Sequence, residues 1–290
     1  MLQELQTKKY TFSGHETFHC RGLWLKKGYD YLLLNKRFSD EDAVVNLGVG
    51  KNMVASIRYW MKACDLIGND DQPTPLAHLI FDDQEGFDPY LEDEGTLWLL
   101  HYHLVVKDYA SIYNLIFNTF RRYKIAFQKE DFIKYVIKLA SSTPNLNVGV
   151  NTAENDFNVM AKMYLRLNDD KDETLSGLFT DLNLINFRKD GQYYIMPNLE
   201  RDSLPADILL YAILDGNRGS NSISYQRLEN DKNQVGNTFA LSQDGLVNKI
   251  EELTDKFDKL VFSDQDGVME LQLKADLDPY NVLSNYYAGI

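Results

Sequence analysis

The sequence predicts a mainly α fold with small β-hairpins, an α+β protein in which several winged-helix-like units are joined by a helical middle section. Apolar residues recur at helical spacing, most regularly between residues 94 and 140. Two Asp-Gly pairs, Asp190-Gly191 and Asp266-Gly267, each separate two strand-like runs, as β-hairpin turns do. A 290-residue chain with 44% apolar residues can bury a substantial core and has the length of about two domains.

We predict four sections along the chain. Residues 1–93 form a helix-turn-helix or winged-helix-like DNA-binding domain, and residues 94–145 form the helical middle section. Residues 146–200 form a second winged-helix-like unit that follows the linker-like segment SSTPNLNVG. Residues 201–290 form a C-terminal winged-helix-like α+β unit that ends in a short capped helix, LDPYNVLSNYY.

The stretch from residue 12 to 27, FSGHETFHCRGLWLKK, fits two kinds of chemistry. His15, Glu16 and His19 spell H-E-x-x-H, which on a helix places two imidazoles one turn apart to bind zinc beside a glutamate base. Ser13 and Glu16 also have the spacing of a capping box at a helix start. The helix expected next, LWLKKGYDYLLLN, directs Lys26 and Lys27 to solvent.

A helix-turn-helix is predicted from Asp40 to Tyr59, with Gly48 in the turn and Ser39 as the cap of the first helix. The inner faces of its two helices are expected to carry Ala43, Val44, Leu47, Val49, Val54 and Ile57. The second helix then begins near Gly50 and presents Lys51, Asn52, Ala55, Ser56 and Tyr59 outward, with Arg58 at the flank. Asn suits adenine edges, Lys and Arg suit guanine or phosphate, and small residues permit close approach. A polar solvent-exposed face would give a similar pattern.

The remainder of the chain follows the same helix and hairpin patterns. Residues 63–93 carry turn residues between short apolar runs, as a wing or irregular connection does. The middle section has three helical segments, TLWLLHYHLVV, ASIYNLIFNTFRRY and EDFIKYVIKLA. In the first of these, His101 and His103 point in different directions and are expected to pack rather than share a metal. Further helices are predicted at ENDFNVMAKMYLRL, ETLSGLFTDLNLI, LPADILLYAILD and QDGLVNKIEELTDKF.

Composition argues against a membrane-spanning, secreted or disulfide-rich protein and indicates which section could contact DNA. No run of residues approaches the length of a membrane span and the first residues lack a signal peptide's apolar stretch, so we expect a cytoplasmic protein. Its two cysteines, Cys20 and Cys64, are too few for a zinc quartet or a disulfide framework. The net charge of −13 is unevenly distributed, because residues 1–62 carry +4 and residues 63–290 carry −17. This asymmetry favours a DNA contact on the N-terminal section and protein contacts elsewhere.

The motifs FSGHETFHCRGLWLKKGYDYL, NLGVGKNMVASIRYWMKA and DPYLEDEGTLWLLHYHL resemble, in this order, the bacterial domain-of-unknown-function family 4007. The resemblance runs nearly end to end, because LDPYNVLSNYY is similar to the ending of that family. It implies a component of DNA phosphorothioate modification and phage-defence operons, encoded beside an ATPase and a sulfur-transfer enzyme. A similar protein in single-strand phosphorothioation systems is a DNA-nicking subunit. The family motif does not regularly require a histidine at position 19, which disfavours a zinc peptidase.

Three functions are therefore consistent with the sequence. The preferred one is a non-catalytic subunit that binds double-stranded DNA and has the operon's ATPase and sulfur-transfer proteins as partners. Its expected DNA contacts are Lys26, Lys27, Lys51, Asn52, Ser56 and Arg58. The alternative is a DNA nickase that uses Mg²⁺ or Mn²⁺, with His15 or Glu16 as base or metal ligand and Arg21 on phosphate. A transcriptional regulator is the third. No compact nuclease motif and no complete metal-ligand set is evident in the sequence.

Overall fold

A computed structural model describes residues 10–166, 176–265 and 267–289. The chain divides into two compact units, Met1–Met196 and Pro197–Ile290. Within the described residues, no helix has both the length and the apolar character needed to cross a bilayer. The predicted mainly α fold with small antiparallel β elements is confirmed, because helices predominate and the strands form two three-stranded sheets.

The first unit opens with a helical group. It contains α1 (Gly22–Leu33), α2 (Ala43–Leu47), α3 (Lys51–Ala63) and α4 (Pro75–Phe81). Gly48 ends α2 in the left-handed conformation, with φ of 65°, which glycine adopts at little steric cost. The chain then turns directly into α3, whose buried face includes Val54, Ile57 and Trp60. Residues 43–63 thus form two helices joined by a tight turn.

Two details of this helix pair, and one of the segment after it, differ from prediction. The first helix begins at Ala43 behind Asp42, so Ser39 does not cap it. Val44 is 40% exposed, because α2 spans barely more than one turn and buries only Ala43 and Leu47. The segment after α3 is not wholly irregular, since Thr74 caps α4 by accepting a hydrogen bond from the Ala77 N–H.

The rest of the first unit is a helical module that ends in a small sheet. The long helix α5 (Glu94–Lys107) is buried along most of its length. The helix α6 (Ser111–Leu115) continues through a π-helical turn, Ile116–Phe120, and a last turn, Arg121–Tyr123. Then follow β1 (Ala126–Phe127), α7 (Lys129–Ser142), α8 (Val150–Tyr164), a 3₁₀ turn (Thr180–Leu182), β2 (Asn186–Arg188) and β3 (Tyr193–Ile195).

One helix predicted in this region is absent from the described residues, and the small sheet spans residues that were predicted to lie in two sections. The segment ETLSGLFTDLNLI has no α-helix in its described part, because only Thr180–Leu182 is helical and that turn is 3₁₀; residues 173–175 lie outside the described residues. The strand β1 pairs with β3, so a sheet joins residues 126–127 to 186–195 across the boundary predicted at 145/146.

The second unit contains α9 (Ala206–Gly216), β4 (Ser222–Ser224), α10 (Tyr225–Asn230), α11 (Val235–Thr238), α12 (Gln243–Lys256), β5 (Leu260–Gln265), β6 (Val268–Leu273) and α13 (Pro279–Ala288). The strands β5 and β6 form the hairpin predicted around Asp266-Gly267. Asp266 itself lies outside the described residues, and Gly267 has φ of 81°. Asp278 caps α13, as predicted for a short capped helix.

The two units contain sheets of the same topology. In each unit, one strand follows a helix, and two further strands form a hairpin later in the chain. The last strand lies in the centre of the sheet and pairs antiparallel with both others, which gives the orders β1-β3-β2 and β4-β6-β5. A long amphipathic helix lies between the first strand and the hairpin of each sheet, α8 in the first unit and α12 in the second. We call residues 111–196, which carry the first of these sheets, the middle module.

Candidate nucleic-acid interface

The segment from Ser13 to Thr17 is a tight turn and not the start of a helix. Ser13, Glu16 and Thr17 all have positive φ, at 64°, 49° and 67°, and α1 begins only at Gly22. The predicted capping box is therefore wrong. The Ser13 N–H instead donates to both carboxylate oxygens of Asp156 in α8, at 2.9 and 3.2 Å. A side chain 143 residues further on thus fixes the turn.

His15 is buried inside this turn. Its Nδ1 accepts a hydrogen bond from the Thr17 N–H at 3.1 Å, which leaves the proton on Nε2. Nε2 lies 3.2 Å from Asp156 Oδ1, a close contact in which the atoms are poorly aligned for a hydrogen bond. The imidazole stacks on Trp60 with ring centroids 5.9 Å apart. His15 is 2% exposed and so supports the turn from inside rather than facing a ligand in solvent.

The H-E-x-x-H pattern does not form a zinc site. The geometry that the motif requires is helical, and these residues lie in a turn followed by extended chain. Across the part of the chain that the structure describes, no three His, Cys, Asp or Glu side chains are grouped so as to hold a metal ion. Cys20 and Cys64 are both fully buried, and burial raises the pKa of each thiol.

The helix α3 has two distinct faces. Its buried face holds the turn, because Trp60 Nε1 donates to the Phe18 carbonyl at 3.0 Å and Ser56 Oγ lies 3.5 Å from the same oxygen. Ser56 and Tyr59 are therefore buried, and their expected outward orientation is wrong. The other face is exposed and carries Lys51, Asn52, Ala55 and Arg58. Side chains on that exposed face can reach a base edge, whereas the buried Ser56 cannot.

A cleft of about 680 Å³ lies beside the exposed face of α3. Lys51, Asn52 and Arg58 line it together with Glu16, whose side chain is exposed at the end of the turn. The cleft thus joins one predicted catalytic residue to three predicted DNA contacts. Its other charged lining residues are acidic: Asp40, Glu41 and Asp71.

Asp71 binds two cations of α3. Arg58 Nε lies 2.9 Å from one carboxylate oxygen and Lys62 Nζ lies 2.8 Å from the other. Burial alone would raise the pKa of Asp71, but hydrogen bonds from Lys62 and Arg58 outweigh it and lower that pKa below its usual value. Asp71 is therefore ionised at neutral pH and competes with any phosphate for Arg58.

The remaining predicted residues of α1 lie in different environments. Lys26 is 7% exposed and forms ion pairs with Asp30 and Asp83, each at 2.5 Å. Its expected phosphate contact is thus replaced by internal pairing, which a sequence pattern cannot show because Asp83 is 57 residues away. Lys27 is exposed. The Arg21 guanidinium lies over the Trp24 ring at 5.3 Å, and Arg21 is not among the residues that line the cleft.

The family model described as "Protein of unknown function (DUF4007)" matches residues 12–287. The chain belongs to the DUF4007 family. Two solved structures are similar to this DUF4007 protein over nearly its whole length. A magnesium ion-bound SspB crystal structure has a TM-score of 0.86 and 29% identity, covering 98% of this chain and 90% of SspB. A second SspB crystal structure has a TM-score of 0.85 and 28% identity, covering 99% and 90%. No curated protein matches the sequence.

The magnesium ion in one SspB structure raises the question of whether this DUF4007 protein offers an equivalent donor set. Carboxylate oxygens are the ligands that Mg²⁺ prefers. The cleft has four carboxylates, but Asp71 is occupied by Arg58 and Lys62, and none of the four joins a group of three possible ligands among the described residues.

Sequence reasoning missed Asp156 of α8, whose carboxylate fixes the Ser13–Thr17 turn beside the cleft. It is 1% exposed on α8 and fixes Ser13 and His15, while Gly14 lies so close to α3 that an added Cβ would sit 2.4 Å from Tyr59 Cε2. The available signals were an acidic residue inside the apolar run of α8 and a glycine within the family motif. Neither indicates the partner across the fold.

Proposed function

We propose that this DUF4007 protein is the DNA-binding component of a bacterial phosphorothioate modification and phage-defence system, and that α3 contacts duplex DNA. The similarity to SspB and the family resemblance support a role in such a system. The observation that carries the DNA-binding role is the exposed, uncapped and acid-free start of α3 with Lys51, Asn52 and Arg58 on its open face.

The face of α3 suits a major groove. Lys51, Ala55 and Arg58 lie within an arc of about 60° on the helix, since each residue advances about 100°. The Ala55 side chain is small enough to let the backbone approach base edges, and Asn52 can pair with adenine. Gly50 precedes the helix without a side-chain cap, and the first turn has no acidic residue. The helix dipole and free N–H groups there favour a phosphate.

Charge supports the same orientation. The N-terminal 62 residues carry +4 while the remainder carries −17, so the long-range field attracts DNA to the section that contains α3. The acidic remainder leaves surface for protein partners. We propose the operon's ATPase and sulfur-transfer proteins as those partners, on the basis of the family resemblance.

The test is a salt titration of duplex-DNA binding by fluorescence anisotropy. Replacing Lys51 and Arg58 together by Ala removes one phosphate contact at Lys51 and a second at Arg58 that Asp71 weakens, so the slope of log K against log salt should become shallower by about 0.9–1.8. The matched control is Lys259→Ala with Lys274→Ala, which removes the same charge from exposed positions in the second unit. An unchanged slope in the α3 variant, or an equal change in the control, would refute this placement.

Nicking by the chain itself is the second candidate. The observation that favours it is the exposed Glu16 carboxylate in the same cleft as Lys51 and Arg58, where it would lie near a bound phosphate. Supercoiled plasmid incubated with Mg²⁺ or Mn²⁺ tests it. If Glu16 takes part, wild-type protein relaxes the plasmid and Glu16→Gln does not, while both bind duplex DNA equally. Unchanged topology at high protein excess would reject this function and leave the binding role intact.

A further inference from the structure

We propose that the middle module, residues 111–196, contains a second duplex-DNA contact surface, with α8 facing the groove and cations of α7 and the β2–β3 hairpin on the flanking phosphates. This surface is separate from α3 and does not depend on it. The evidence is a stripe of asparagines on α8, the placement of the surrounding cations, and an internal comparison with the second unit.

The exposed face of α8 carries amides in a regular array. Asn151, Asn155 and Asn158 are all exposed, and Lys162 continues the same line. At about 100° per residue these four side chains fall within an arc of about 60°. None of the three amides bonds to another described residue. Asparagine weakens a helix interior, so three of them on one open face are not explained by helix stability.

Asparagine has the donor and acceptor pair that matches the major-groove edge of adenine. The opposite face of α8 is anchored in the fold, because Phe157 packs edge-on against Tyr194 of β3 at 4.9 Å and Asp156 holds the turn at Ser13. The helix is therefore rigidly supported behind the stripe. Glu154, at the edge of the stripe, is half-buried, so the open face itself carries no acid.

Exposed cations lie on two elements that contact α8. On α7, Lys134 and Lys138 are one turn apart and exposed, and α7 packs against α8. At the hairpin, Lys189 is exposed and Arg188 lies 3.7 Å from an exposed Asp190, a loose surface pair that costs little to break. First helices of helix-turn-helix folds contact the DNA backbone in this way, with the second helix in the groove.

The second unit provides a comparison inside the same chain. Its sheet has the same topology, but the exposed face of α12 is mostly acidic, with Asp244, Glu251, Glu252 and Asp255 beside Asn248. Duplex DNA would be repelled by that face. The amide and lysine face of α8 is thus not a property of this topology. Of the two helices compared, charge complementarity favours DNA at α8 and not at α12.

Two matched pairs of variants test the proposal in the full-length protein, by anisotropy with a random-sequence duplex across a salt series. Arg188→Ala with Lys189→Ala should make the salt slope shallower by about 1.8, while Lys259→Ala with Lys274→Ala leaves it unchanged. Asn155→Asp should weaken binding at least tenfold, because it places a carboxylate in the groove. Asn248→Asp, at the same sixth position of α12, should change it less than twofold.

All four variants alter exposed side chains, so their unfolding curves should coincide with that of the wild type. The proposal would be overturned if the hairpin variant had the same salt slope as the wild type and Asn155→Asp bound DNA with wild-type affinity. So would equal effects in the second-unit controls, which would indicate a response to net charge. Failure here is distinguishable from failure of the α3 placement, because the Lys51 and Arg58 variant is measured on the same duplex and alters neither α8 nor the hairpin.

Discussion

Replacing Asp156 by Ala should destabilise the first unit substantially, because this carboxylate is the acceptor that holds the Ser13–Thr17 turn. The change removes the acceptor of the part-buried Ser13 N–H and the carboxylate that lies 3.2 Å from the buried His15 Nε2. A donor left without its acceptor costs about 1–3 kcal/mol. We therefore expect a loss of about 1–3 kcal/mol in the free energy of unfolding.

The assay is urea unfolding followed by tryptophan fluorescence. All three tryptophans, Trp24, Trp60 and Trp98, are buried in the first unit, so the signal reports on that unit. The control is Asp181→Ala, which removes a half-exposed carboxylate paired with Arg166 and should cost less than about 1 kcal/mol. A loss below about 1 kcal/mol for Asp156→Ala, or a loss equal to the control's, would refute this account of the turn.

Three further predictions concern single substitutions. Asp71→Asn should release two cations of α3 and steepen the salt dependence of DNA binding in the same anisotropy assay; a shallower slope would contradict this. Gly14→Ala should lower the urea midpoint by the equivalent of about 1–3 kcal/mol, since the new Cβ meets the buried Tyr59 ring at 2.4 Å, whereas Gly22→Ala meets nothing within 4 Å and should be nearly neutral. Burial and a neighbouring carboxylate raise the pKa of Tyr29 to about 12. The stability that the protonated Tyr29 contributes is therefore complete below about pH 10 and is lost as pH rises towards 12. Across that interval, Tyr29→Phe should show a shallower decline in the free energy of unfolding than the wild type.

Local patterns predicted the elements well where local physics determines them. The glycine between two apolar-faced helices predicted the turn at Gly48, which has positive φ as that position requires. The Asp-Gly pair at 190–191 predicted a hairpin, and β2 pairs with β3 around it. The strand β1 was missed because it has only two residues, too few to show alternation.

The candidate site was harder to predict because distant residues determine which side chains are available. Lys26 has the sequence context of a solvent-facing cation, yet Asp83 draws it into the fold. Ser56 would face outward on an isolated helix, and the Phe18 carbonyl of the preceding turn covers it. Glu16 adopts positive φ because the contacts of its neighbours with Asp156 outweigh its own backbone preference. No spacing rule within residues 12–27 encodes these contacts.

Site-specific cross-linking tests the central claim most directly. Because Cys20 and Cys64 are fully buried, a photo-cross-linker attached to Asn52→Cys would modify the exposed face of α3 selectively. The control is Tyr90→Cys, at a residue that is 65% exposed within the acidic segment 82–94. We predict cross-links to duplex DNA from position 52, reduced by added salt, and background levels from position 90. Equal cross-linking at the two positions, or none at position 52 under conditions where the protein binds DNA, would contradict the assignment of α3 to the DNA.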